Sequence, residues 1–514
     1  MTAGAGSLRG LIAWTDAHWL VSPAEAATTV LTDADGRICA VGGDELADGA
    51  DRVERLGGRF GSAGLWDSHL HWMGLAEQAS RLDVTAVGSL ADLYAKVAEA
   101  AAALPPGEVL VGAGWNQNRW GGGWPDRAGL DRAARGRPVV LWARDHHGLV
   151  ASSAALEMAW GGADPVDPPG GRYERCQGQL TGLVRETAAN DLAARLPSLP
   201  IGALQAQLPA IAERLSRLGL VGATGMEPGR WLSPLEAFLT ERQAFRTQVF
   251  VTDGEAGFTS PPAPWFRVVG AKRFADGALG TRTAALSAPY ADGTGSGVWR
   301  IAPDELAAVV ARAAAEGRGA VAVHAIGDAA AAAVLRHLAA LPRTHSGVAH
   351  RLEHAQLMDP EAVAQMGRAE GLVASVQPVH LLEDRAAMDQ AWPDRAGWSF
   401  PHASLARAGV PLLLGSDAPI ETPDPVVGMQ AAVWRARDGE VPWQPQEALT
   451  PWQALDGYTR HPAAADQRQG GRLAAGGWAD FTLYDRDPIQ ALAHRQPFAV
   501  VGTVVAGRWV HRAF

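Results

Sequence analysis

AVAVHAIGD (320–328) and HRLEHAQ (350–356) are short, largely apolar runs that each break off at or just past a histidine. Thirty residues separate His324 from His354, close to the roughly 31 residues per βα unit of a ~250-residue (β/α)8 barrel. The pattern extends in both directions. Before these runs come GATGME (222–227), TQVFVTD (247–253) and AKRFADG (271–277); after them come LVASVQPVH (372–380) and PLLLGSDA (411–418). Helical stretches such as PDELAAVVARAAAEG (303–317) and PEAVAQMGRAEG (360–371) lie between most of them. Such alternation predicts a parallel sheet with crossover helices. His380 follows His354 by 26 residues, Asp417 follows His380 by 37, and the 52 residues from Lys272 to His324 include an excess loop. The fold class expected is α/β, a (β/α)8 TIM barrel.

GLWDSHLHW (64–72) supplies the first strand. From His71 to Thr224 is 153 residues, about 120 too many for one unit. An inserted α/β subdomain is therefore expected at 74–195, interrupting a barrel made of 63–73 and 196–462. The chain ends read differently. TTVLTDADGRICAVGG (28–43) predicts a hairpin turning at Asp35-Gly36, and FAVVGTVVAGRWV (498–510) one turning at Gly507. Residues 1–62 and 463–514 are expected to form a small β-sandwich domain built from both termini.

Composition narrows the function. In 514 residues, 47% are apolar and 19% charged, enough for a large core and against general disorder. A formal charge of −10 with no basic block argues against nucleic-acid binding. Cys39 and Cys176 are the two cysteines, so a disulfide framework or a cysteine-built zinc site is not expected. No apolar run reaches the ~20 residues of a membrane span, and MTAGAGSLRGLIAWTDAHWL reads poorly as a signal peptide. The expected setting is the cytoplasm. The expected partner is a small-molecule substrate, with no nucleic acid and no membrane; a homodimer is compatible with this.

The chemistry lies at the strand ends, which in such a barrel form the active-site face. His69 and His71 share one side of a strand and can ligate one metal; Asp67 has their parity and could orient an imidazole. His324, His354 and Asp417 reach the same rim. These N and O donors suit a divalent metal, zinc first, with manganese, cobalt or iron as competitors. Lys272, at the fourth strand, is either a counter-ion or a lysine depressed toward neutrality that takes up CO2 and bridges two ions as a carbamate.

The set DSHLH, K-FADGALG-RTAAL, VHAIGD, RLEHAQ, VQPVH and GSDAPIETPDP resembles the amidohydrolase superfamily, specifically amidohydrolase family 3, the branch with N-substituted formamide deformylase-like enzymes. The resemblance spans nearly the whole chain and implies a metal-dependent hydrolase on a TIM barrel. It implies metal ligation by His69, His71, Lys272, His324, His354 and Asp417, with one or two ions and a carboxylated Lys272 if there are two. It implies that His380 meets substrate.

A divalent ion would lower the pKa of its water from about 15.7 toward 7. Asp417 is the expected general base and proton shuttle, worth about 10²–10⁴-fold. His380 is the expected oxyanion donor, or else a loop histidine without a partner. Asp276 and Arg282 would orient substrate or merely pack their loop. Trp115, with Trp120 and Trp124, would form an apolar substrate wall or the insert's own core. Outside the adjacent His146 and His147, one of which could face the cavity, the remaining histidines are expected at solvent or helix positions. The function expected is hydrolysis of a C–N bond in an amide, N-formyl or cyclic amide compound. The alternatives are a deaminase or ester hydrolase on the same scaffold, or a non-catalytic scaffold homologue.

Overall fold

The computed structural model of the chain describes residues 10–514 except 116–119, 121–122, 144–147, 169–170, 198, 254–263, 280–281, 294, 317–318 and 345. His146, His147 and His345 lie outside the described residues.

Eight strands run in chain order around a barrel: β1 (Leu65–Leu70), β2 (Leu220–Glu227), β3 (Arg246–Val251), β4 (Phe266–Phe274), β5 (Ala320–Ala325), β6 (His350–His354), β7 (Leu372–Val376) and β8 (Leu412–Leu414). All neighbours pair in parallel. A parallel bridge between Leu70 and Ala418 closes the ring. There Asp417 N donates to the His69 carbonyl at 2.7 Å and His71 N to the Ala418 carbonyl at 2.9 Å. β2, β3, β6, β7 and β8 are buried at every position, as a parallel sheet covered on both faces requires.

The crossover helices start where the sequence places them. Pro360–Arg368 opens with Asp359 as N-cap, its carboxylate accepting from Ala362 N at 2.7 Å, and Pro360 in the first turn. Such a cap contributes about 1 kcal/mol, and proline in the first turn removes an N–H that has no intrahelical partner.

The two chain ends join in one hydrogen-bonded sheet of eight strands. Arg52–Ala63 links them, running parallel to Ile12–Ser22 and antiparallel to Phe481–Tyr484. Trp14, Trp19, Leu56, Phe481 and Leu483 form its core. Gly36 (φ +74°) and Gly507 (φ +71°) make the two turns. At Gly36 a Cβ would stand 2.5 Å from the Ala506 carbonyl oxygen, so glycine is required there.

Contacts divide the chain into two compact units, Met1–Leu75 with Leu208–Phe514, and Ala76–Gln207. Residues 196–207 therefore group with the insert, beyond the 195 boundary read from the sequence. The second unit holds a six-stranded sheet, Gly171–Cys176, Gln179–Glu186, Gly148–Ala151, Val139–Ala143, Leu110–Trp115 and Leu82–Asp83 in spatial order. Trp115 sits in that unit's core, 1% exposed, its indole N–H donating to the Leu141 carbonyl at 2.8 Å. Its ring is an interior element of the insert, which corrects the substrate-wall expectation. Among the described residues no helix is long and apolar enough to cross a membrane.

Candidate metal centre

The barrel brings the predicted residues to one rim. Ring centroids of His69 lie 5.3 Å from His71 and 5.1 Å from His354, and His354 lies 4.4 Å from His324. Asp417 stands at the centre. One of its oxygens is 2.9 Å from His71 Nε2 and 3.4 Å from His69 Nε2; the other is 3.9 Å from His380 Nε2. Two trios, His69–His71–Asp417 and His354–His380–Asp417, each offer donor atoms within 4.8 Å of one another. The geometry thus puts His380 within reach of a shared ion, beyond the substrate role read for it. His354 and Asp417 hold left-handed backbone angles, φ 70° and 59°, uncommon for residues with a side chain and concentrated at functional sites.

The far ring nitrogens decide what the near ones can do. His71 Nδ1 donates to the Met226 carbonyl at 3.0 Å, which can only accept. His69 Nδ1 donates to Glu353 Oε2 at 2.7 Å, and His354 Nδ1 to Gln377 Oε1 at 2.7 Å. In a neutral imidazole this leaves Nε2 as a lone pair. Burial and the nearby Lys272 hold His69 down to about 4, and burial and His324 hold His354 well below its usual range, so both rings are neutral near pH 7. Burial pushes Asp417 up, yet His69, His71 and His354 outweigh it and keep the carboxylate ionised. His69 and His354 thus present Nε2 lone pairs, while the Asp417 carboxylate, 2.9 Å from His71 Nε2, holds that ring above the usual imidazole range against burial; imidazole nitrogens and a carboxylate are donor types that divalent metals take. Among the described residues, His380 Nε2 is buried with no hydrogen-bond partner. The donor set fits a divalent metal.

Lys272, on β4, is 1% exposed and makes no hydrogen bond or ion pair among the described residues. Burial lowers its ammonium, against the pull of Glu353 and Asp417. Together with Lys272, burial also holds His324 at about 3. His324 Nε2 donates to the Gly277 carbonyl at 3.0 Å, leaving Nδ1 as its lone pair.

Three predicted roles change. Asp67 does not orient an imidazole; it accepts from Ser416 N and Oγ and from His69 N, at 3.0, 2.6 and 3.0 Å, and so fastens β1 to the turn after β8. Glu353 takes the imidazole-orienting role. Asp276, fully buried, accepts from Ala285 N, Ile326 N and Gly327 N at 2.9, 3.1 and 2.9 Å, which commits its carboxylate to the loop rather than to substrate. Burial pushes it up to about 7 against these donors. Arg282 pairs with Asp292 at 2.8 Å and donates to the Leu279 carbonyl, again within its own loop. Among the other histidines, His350 is a buried strand residue, neither a solvent nor a helix position, while His402, fully buried, opens the helix His402–Arg407. The sequence reading missed Glu353 and Gln377. Glu353 is adjacent to His354 and so has the opposite parity in a regular strand; the left-handed turn at His354 lets both address the centre.

A profile of the amidohydrolase family matches residues 52–511. The chain belongs to the amidohydrolase family. This amidohydrolase is 30% identical over 498 residues to YtcJ of Bacillus subtilis (strain 168), named as an amidohydrolase, covering 90% of this chain and 93% of that one. It is 27% identical over 508 residues to N-substituted formamide deformylase of Arthrobacter pascens, covering 92% and 93%. A crystal structure of an uncharacterized metal-dependent hydrolase from Pyrococcus horikoshii aligns with a TM-score of 0.79 at 24% identity, covering 95% of this chain and 100% of that one. The two share the fold.

Proposed function

We propose that this amidohydrolase holds one or two divalent cations, zinc first and manganese, cobalt or iron as competitors, and hydrolyses the C–N bond of an amide, N-formyl or cyclic amide compound. The observation that carries this is the convergence of imidazole Nε2 atoms on the Asp417 carboxylate. His69, His71, His324, His354 and Asp417 would hold the ions. Lys272 would join them after its neutral amine takes up CO2 and releases a proton. A bound cation supplies Lewis acidity and an acidified water at neutral pH. Asp417 accepts the proton of the attacking water and passes it to the leaving nitrogen. His380, whose Nε2 has no hydrogen-bond partner among the described residues, donates to the developing oxyanion. The choice of a C–N bond is supported by the relative named as a formamide deformylase.

The test is metal analysis of purified protein, then a hydrolysis screen over N-formyl amines, N-acyl amino acids, cyclic amides and aryl esters with Zn²⁺ or Mn²⁺ added. Amine release from one of the first three classes is expected. Stoichiometric metal with turnover of esters alone would reject the C–N assignment. Protein that takes up no metal would reject the whole reading.

A further inference from the structure

The opposite end of the barrel carries a second polar site. A cavity of about 440 Å³ opens beside the first residues of β3 and β4, lined by Arg37, Arg246, Arg267, Arg468, Trp478 and Asp480 among others. Two indoles fix three of its guanidinium groups. Arg37 and Arg246 both stack on Trp478, with Cζ 3.4 and 4.0 Å from the ring centroid, and Arg468 stacks on Trp66 at 3.6 Å. Stacking uses the guanidinium face and leaves the N–H edge for polar partners.

Carboxylates satisfy only part of those edges. Asp480 is taken by Arg246, through Nε at 2.8 Å and Nη2 at 3.3 Å. Asp466 gives one oxygen to Arg351, and its other oxygen stands 3.8 Å from Arg468 Nε without a hydrogen bond. Among the described residues Arg37 donates to neutral oxygens, those of Gln469 and Gly476, and Arg267 likewise to Gln248 and the Asp466 carbonyl. Nε and Nη2 of Arg468 are buried and, among the described residues, have no hydrogen-bond partner, the Asp466 oxygen at 3.8 Å being a longer ion pair. Asp33 and Asp35, on the hairpin that carries Arg37, offset part of its charge. Burial pushes Arg468 down to about 9 and lowers Arg267, with Asp466 and, for Arg468, Asp480 pulling the other way: desolvation and neighbouring arginines outweigh the carboxylates present. A partly buried guanidinium whose N–H groups lack close anionic acceptors is unfavourable, and the guanidinium fork matches the paired oxygens of phosphate and carboxylate.

We propose that this cavity is an oxoanion site, in which the N–H edges of Arg37, Arg267 and Arg468 bind a phosphoryl or carboxylate group. The site unites two parts of the fold. Arg37 comes from the hairpin of the terminal sheet, Arg267 from the barrel, and Arg468 from the connection between them. A bound oxoanion would tie the terminal sheet to the barrel floor, so occupancy stabilises the folded chain.

The test uses the full-length protein at fixed ionic strength in sodium chloride. Inorganic phosphate, phenyl phosphate and acetate are titrated separately by calorimetry, and the melting temperature is followed in each. Saturable uptake of at least one of them is expected, near one equivalent, with a rise in melting temperature. Phosphate and phenyl phosphate without acetate would assign a phosphoryl ligand; acetate alone would assign a carboxylate. Arg37→Gln should weaken uptake at least tenfold. Gln469→Glu places a carboxylate beside Arg37, so it should raise the melting temperature without ligand and abolish the anion response. No saturable uptake of any of the three overturns the proposal. So does uptake that survives undiminished in Gln469→Glu, because the anion would then sit elsewhere, the metal centre included.

Discussion

Glu353→Gln isolates the contribution of one buried carboxylate to the metal centre. Glu353 Oε2 accepts from His69 Nδ1 at 2.7 Å, with side chains 0% and 1% exposed, so solvent does not screen the pair. Burial pushes Glu353 up, but His69, Lys272 and Arg351 outweigh it and hold the group at about 2, ionised throughout the neutral range. Glutamine keeps the shape and one acceptor oxygen and removes the charge. Loss of a group that orients a metal-ligating histidine weakens metal affinity about 10–100-fold, which is about 1.4–2.8 kcal/mol at 1.4 kcal/mol per factor of ten. The assay is competition for Zn²⁺ against a chromogenic chelator, with the melting temperature of metal-free protein as the control for folding. The expected result is a dissociation constant raised 10–100-fold on a metal-free protein that melts near wild type. A constant within twofold of wild type would refute the idea that Glu353 fixes the His69 tautomer.

Four further outcomes follow from the same geometry. Asp417→Asn should keep at least one ion yet lower kcat by 10²–10⁴-fold; unchanged turnover in a steady-state assay would remove Asp417 as the proton shuttle. Lys272→Ala should lose at least one metal equivalent by elemental analysis, with partial recovery in acetate or bicarbonate, whereas full metal content would favour a counter-ion role. Asp276→Asn leaves one acceptor oxygen for three backbone N–H groups, so it should lose about 1–3 kcal/mol in denaturant unfolding with KM little changed; a raised KM at wild-type stability would restore the substrate role. Trp115→Phe removes the donor to Leu141 O and should destabilise by about 1–2 kcal/mol. A changed KM without a stability loss would contradict its place in the insert's core.

What the linear sequence determined was what has a local period. Alternating strand residues, the thirty-residue interval from His324 to His354 and the extra length after His71 are written in adjacent letters. They were sufficient for the barrel, for the insert, and for His69, His71, His324, His354 and Asp417 as one rim, because strand ends in a βα barrel must face the same way. Tertiary structure alone decided which partner each polar group met. Asp67 and Glu353 exchanged the expected role because a left-handed turn at His354 overrides strand parity. Asp276 could not be told from a substrate ligand until three backbone N–H groups from two loops were seen to enclose it. The arginine cavity combines residues 37, 246, 267 and 468, so no window of sequence contains it. Hydrogen-bond pairing and desolvation depend on distances across the fold, and residue order carries no measure of those distances.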